Sequence, residues 1–106
     1  MTTNVRLSAA ADARLDEIYA YTLETWGEAQ ADRYVRSLFD AFAAIARRDM
    51  VWRRIPAEFG ADGWYARHER HVIYWKRLPD DAIGVVTILH QRMHQLDRFR
   101  EDAGEP

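Results

Sequence analysis

The stretch HVIYWKRLPDDAIGVVTILHQRM, from His71 to Met93, decides the fold. β-Branched and aromatic residues fill His71 to Leu78 and again Ile83 to Leu89, and Pro79-Asp80-Asp81-Ala82 between them is turn chemistry, so the stretch reads as two antiparallel strands. In Ile83-Gly84-Val85-Val86-Thr87-Ile88-Leu89 no polar residue alternates with the apolar ones. Both faces of that strand must therefore be covered, which places it in the middle of a sheet. The strand before it alternates, with His71, Ile73 and Trp75 on one face and Val72, Tyr74 and Lys76 on the other. It is expected beside the centre, with one face less deeply covered.

Working outward to the N-terminus, Val5-Arg6-Leu7 is a short candidate strand, and Ser8 is placed to cap a helix. From Ala9 to about Trp26, Ala11, Leu15, Ile18, Tyr19, Thr22 and Trp26 fall on one helical face. Gly27 supplies a stop, and a second helix of about 30 Å follows from about Glu28 to Arg48, striped by Ala31, Tyr34, Val35, Leu38, Phe42 and Ile45. Two long amphipathic helices with a one-residue hinge form an αα-hairpin whose apolar face has to cover a sheet. Tyr21, Leu23, Phe39 and Ala43 lie off these stripes and are candidates for a partner-filled groove or for ordinary surface.

Asp49 to Gly63 reads as a loop, yet it carries Trp52, Arg53, Arg54 and Phe59, more than a passive connector needs. Trp64 to Glu69 alternates as an edge strand should. After Met93, His94 to Arg100 is expected to form one or two amphipathic turns, and Glu101 to Pro106 a disordered tail. The expected architecture is α+β, one domain over residues 1–100: an N-terminal strand, an αα-hairpin and a three-stranded antiparallel meander, with the helices on one face of the sheet.

Composition bounds the function. A chain of 106 residues, 48% hydrophobic and 30% charged, makes one soluble domain, and a net charge of -2 does not suit a general polyanion binder. Charge is uneven: residues 1–46 carry four Arg against seven acids, residues 47–77 eight basic residues against four. With no Cys, disulfide and thiolate chemistry are excluded. No apolar run approaches a membrane span and the first residues lack a signal-peptide core, so a cytoplasmic location is expected.

The familiar catalytic motifs fail. There is no phosphate loop, nucleophile elbow or dinucleotide fingerprint. His68 and His71 are three apart and His90 and His94 four apart, but no spaced carboxylate completes a metal set, so neither metal nor cofactor is expected. Phosphodiester cleavage needs a base, an acid and cations over the phosphate. Arg67, Arg77, Arg92, His90, His94 and Tyr74 are the side chains available for it if they converge.

Several pieces together carry a family likeness: Arg6-Leu7-Ser8 leading into Ala11, Leu15 and Ile18; Tyr21-Thr22, Trp26-Gly27 and Gln30-Ala31; Tyr34 and Leu38; His71 to Trp75; and Ile88-Leu89-His90-Gln91-Arg92-Met93. In that order, over residues 6 to 93, they resemble the RelE/ParE toxin superfamily, and the closing Leu-His-x-Arg-Met looks like its ParE branch. The resemblance implies a small cytoplasmic toxin, not itself a catalyst, that poisons DNA gyrase and is neutralised in a hetero-oligomer by a ParD-like antitoxin. The free toxin would need neither membrane nor direct nucleic-acid binding.

RelE-like relatives instead cut mRNA on the ribosome, which would cast Arg67, Arg77, Arg92 and His94 as catalytic. A third possibility is an inactive toxin kept as an antitoxin-binding co-regulator. Under the inhibitor reading the gyrase contact is expected at Arg92, Met93, His94 and Phe99. An acidic antitoxin segment would lie over Phe39, Ala43, Trp52, Arg53 and Arg54, where apolar anchors accompany the cations.

Overall fold

The computed structural model describes residues 4–103. Strand β1 (Val5–Leu7) leads into helix α1 (Ala9–Trp26), and Ser8 makes the junction. Its Oγ accepts the Ala11 N–H at 2.9 Å and donates to the Val86 carbonyl at 2.7 Å, satisfying an orphan amide while tying the helix start to the sheet. Gly27, at φ 95°, is the hinge: its N–H reaches Leu23 O and its own carbonyl accepts from Ala31, opening α2 (Glu28–Ala46). The second helix stops two residues short of the expected Arg48, which itself takes a positive φ.

Five strands form one mixed sheet in the order β1-β5-β4-β3-β2. The hairpin of the deciding stretch is β4 (His71–Arg77) and β5 (Ile83–His90), with β3 (Trp64–His68) antiparallel to β4. β1 lies parallel to β5 at the edge of the sheet, which makes the sheet mixed. The expected loop holds a further strand, β2 (Arg53–Arg54), and a 3₁₀ turn (Ala57–Phe59). β3 is consequently paired at Trp64 and Tyr65 rather than being the outermost strand. The meander therefore has four antiparallel strands, and β4, not β5, is the middle of the five.

β4 and β5 keep register from Arg77↔Ile83 to Trp75↔Val85, and then Tyr74 pairs with Thr87. Val86 is the extra residue of a β-bulge. The bulge switches the side-chain parity of β5, so Ile83, Val85 and Ile88 share the face that packs on the helical hairpin with Leu15, Leu38, Phe42, Ile73 and Trp75. Burying a side chain such as Phe42 or Ile73 in that layer is worth about 1.5–3 kcal/mol.

The other face is covered too. Helix α3 (Gln95–Ala103) packs there, so the helices are not confined to one side. It runs past the expected one or two turns and includes Glu101 to Ala103, the start of the expected disordered tail; residues 104–106 lie outside the described residues. Phe99 is its anchor, with ring centroids 5.0 Å from Tyr74 and 5.4 Å from Phe59. Asp102 fixes its far end by accepting from Thr87 Oγ1 at 2.7 Å and from Arg14 at 2.9 and 3.3 Å. No helix among the described residues is long and apolar enough to cross a membrane.

Candidate functional site

The outer half of α1 and the His71/His90 end of the sheet diverge, leaving a cleft of about 1020 Å³. Ile18, Thr22 and Tyr34 from the helices and His71, Ile88 and His90 from the strands form its floor. Tyr21 and Trp26 stand on the helical wall, 63% and 61% exposed. Arg70 and Arg92 stand on the sheet wall with Gln91 and Met93. Trp26 thus leaves the buried stripe to which its spacing assigned it and stands exposed at the last residue of α1.

The floor is a linked polar group in an apolar frame. Tyr34 Oη and His71 Nδ1 are 2.6 Å apart, and the His71 and His90 rings meet edge to face at 5.2 Å. Burial, reinforced by the neighbouring His90, His68 and Arg70, pushes His71 down to about 4. Desolvation, then Arg92 and Arg70, lowers His90 as well, and burial raises Tyr34. His71 is therefore a neutral imidazole at pH 7 and Tyr34 a protonated phenol, and a single proton is shared between Tyr34 Oη and His71 Nδ1, its donor set by the imidazole tautomer. Behind them Ser37 Oγ donates to Tyr34 O at 2.6 Å and accepts from His68 Nε2 at 2.9 Å. Ser37 is thereby a structural link and not an idle surface hydroxyl.

The six side chains considered for cleavage do not converge. Arg77 sits at the opposite end of β4, about 20 Å along the strand from His71, and pairs with Asp81 at 3.0 Å. Arg67, opposite Val72 and on the α3 side of the sheet, bonds Gln91. Tyr74 donates to Gln95 beneath α3 at 2.8 Å. His94 is exposed at the first turn of α3, its Nδ1 3.2 Å from Asp97 Oδ2 and 3.4 Å from Asp97 N. Only Arg92 and His90 reach the cleft. Among the described residues, no three His, Asp or Glu side chains cluster as metal ligands.

Of the expected gyrase contacts, Arg92 and Met93 line the cleft and His94 is exposed beside them. Phe99 is 2% exposed and belongs to the interior of the α3 layer, so it is not a surface contact. Its spacing in an amphipathic turn is equally that of a core anchor.

The residues expected under an antitoxin fall on another region. Phe39, 47% exposed, stands one turn from Ala43 on α2. Trp52 is half-buried: it donates to Ile45 O at 3.1 Å, packs between Trp64 and Trp75, and carries the Arg48 guanidinium 3.7 Å above its ring. It pins the segment to the helices, whereas Phe59 crosses to the α3 face. Arg53 and Arg54 are exposed on β2, one of the two edge strands, with Arg54 over the Trp64 ring.

The pairing of His71 with His90 and the role of Tyr34 escaped the sequence reading. Counting back from the turn, the register Arg77↔Ile83 would set His71 against Leu89; the unpaired Val86 moves it opposite His90. A bulge inside an uninterrupted apolar run has no sequence mark.

The family model for the ParE toxin of the type II toxin-antitoxin system parDE matches residues 5–95. The chain is similar to Toxin ParE1 of Mycobacterium tuberculosis, 32% identical over 93 residues that cover 88% of this chain and 94% of that one. It is also similar to Toxin ParE of Escherichia coli, 33% identical over 95 residues, covering 90% and 91%. The match spans both the helical hairpin and the sheet end that enclose the cleft, and the chain belongs to the ParE toxin family of type II toxin-antitoxin systems.

Proposed function

We propose that this ParE-family toxin acts in the cytoplasm by binding DNA gyrase as a stoichiometric inhibitor, and that a ParD-like antitoxin holds it inactive in a hetero-oligomer. One observation carries the choice of inhibitor over catalyst. The cations required for phosphodiester cleavage are dispersed, Arg77 lying at the far end of β4 from Arg92 and engaged by Asp81. Binding a protein demands less: exposed aromatic anchors and a few arginines, with no aligned acid and base. Arg92, Met93 and His94 are the proposed gyrase contacts. Phe39, Ala43, Trp52, Arg53 and Arg54 are the proposed antitoxin contacts.

A second reading has one observation in its favour. His71, His90, Arg70 and Arg92 do gather in the cleft, and a ribosome-dependent nuclease would use them. Against it, Nδ1 of His71 is occupied by Tyr34, and among the described residues no carboxylate pairs with His71 to raise its basicity.

The test is expression of the toxin without antitoxin, followed by recovery of plasmid and of mRNA. Growth arrest with protein-linked linear plasmid and intact mRNA, reversed by the antitoxin, is expected. Growth arrest with circular plasmid and fragmented mRNA would sink the inhibitor reading. Unimpaired growth would leave the inactive co-regulator in its place.

A further inference from the structure

Nothing in the fold requires the two large aromatic side chains on the helical wall of the cleft. Tyr21 and Trp26 are more than half exposed, and neither stacks on a neighbouring ring or hydrogen-bonds through its polar atom among the described residues. Facing them, Arg70 and Arg92 make no ion pair among the described residues, although Glu69 and Glu17 line the same cleft. Those two carboxylates are turned elsewhere: Glu17 takes Arg14 at 3.1 Å and Glu69 lies 3.8 Å from His68. The floor between the walls holds neutral imidazoles and apolar side chains. An uncommitted aromatic pair thus faces an uncommitted cation pair across a half-dry floor.

We infer that this cleft is the surface with which the toxin grips its protein target, that Tyr21, Trp26 and Arg70 are contact residues beside Arg92 and Met93, and that the occupant is a segment of gyrase bearing a large apolar side chain next to a carboxylate. The inference rests on the gyrase reading and deepens it. Trp, Tyr and Arg are the residue types that dominate binding energy when a partner desolvates them. The two guanidiniums set the polarity of the occupant: a carboxylate is paired there, whereas a basic segment meets like charge. A nucleic-acid strand is the less suitable occupant, because two uncommitted guanidiniums on a chain of net charge -2 match one or two carboxylates better than a polyphosphate. Antitoxin contacts are proposed on α2 and β2, so the cleft is left for the target.

The experiment uses Trp26→Ala, Tyr21→Ala and Arg70→Glu in the full chain, measuring inhibition of gyrase supercoiling, affinity for the antitoxin and the urea midpoint. Trp26→Ala and Arg70→Glu are expected to raise the toxin concentration needed for half-inhibition by roughly tenfold or more, with antitoxin affinity and urea midpoint unchanged. If the wild-type toxin leaves supercoiling untouched, the gyrase reading itself falls. If the wild type inhibits and all three variants inhibit equally well, the cleft inference alone is overturned. It is also overturned if the variants lose the antitoxin, which would make the antitoxin the occupant, or if a single-stranded oligonucleotide binds the wild type and not Trp26→Ala.

Discussion

His71 and His90 stand directly opposite each other across β4 and β5 because Val86 is bulged out of the ladder. The bulge turns the last four residues of β5 so that Ile88 joins the hairpin core and His90 closes the cleft floor. The same packing that buries His71 keeps it uncharged.

A pH dependence of stability follows from that burial. His71 is pushed down from 6.5 to about 4, so between those values the unfolded chain binds the proton that the folded chain refuses. The stabilisation is complete above pH 6.5, declines as pH falls toward 4 and is absent below it, amounting to about 3 kcal/mol. Urea unfolding at pH 7.5, 5.5 and 4 should show this loss in the wild type. His71→Gln, whose amide can either accept from or donate to Tyr34, should flatten it. Parallel curves for the two proteins would refute the assignment.

Asp102 joins three elements, since its two oxygens serve Thr87 on β5 and Arg14 on α1. Both side chains of the ion pair are 13% exposed, so removing one leaves the other largely desolvated. Asp102→Ala is expected to cost about 2–4 kcal/mol of unfolding free energy. Arg98→Ala, which breaks an exposed pair with Glu101, should change stability by no more than about 0.5 kcal/mol. Equal effects of the two substitutions would show that α3 is not tied down through Asp102.

Two glycines next to β2 and β3 should respond differently to alanine. At Gly63, φ 149°, a Cβ would stand 2.6 Å from the Trp75 carbonyl oxygen, and backbone must move to admit it. At Gly60, φ 77°, a Cβ would meet nothing within 4 Å, leaving only the left-handed strain of about 1–2 kcal/mol. Thermal unfolding of Gly63→Ala should begin well below that of Gly60→Ala. The reverse order would contradict the described packing of β3 against β4.

At the proposed antitoxin surface, Phe39→Ala should weaken binding by roughly tenfold or more, as loss of an apolar anchor does. Arg53→Glu and Arg54→Glu should each weaken it by severalfold, with a steeper salt dependence in the wild type than in the double variant. Isothermal titration with the purified antitoxin measures both. Unchanged affinity in the charge-reversed chain would take Arg53 and Arg54 off the interface.

What was legible in the sequence is what periodicity and turn chemistry encode. Ser8 and Gly27 bracket α1 as their side-chain and φ requirements dictate, and the apolar run of β5 marked a strand covered on both faces. Elements that depend on a distant partner were not legible. β2 is two residues long and exists only through pairing with Tyr65 and Trp64. α3 has a single buried side chain, Phe99, which a short amphipathic stretch cannot distinguish from an exposed contact. The cleft was hidden for a related reason: Tyr21 and Arg70 lie on separate elements, and the bulge that closes its floor leaves the apolar pattern intact.

The most direct test titrates purified toxin into a fixed concentration of gyrase on relaxed plasmid and, in parallel, into a reconstituted translation reaction. A stoichiometric inhibitor predicts that supercoiling falls in proportion to added toxin, stops near equivalence and recovers on addition of antitoxin, while translation is untouched. Unaffected supercoiling, with translation halted by toxin far below the ribosome concentration, would contradict it and leave the ribosome-dependent nuclease in its place.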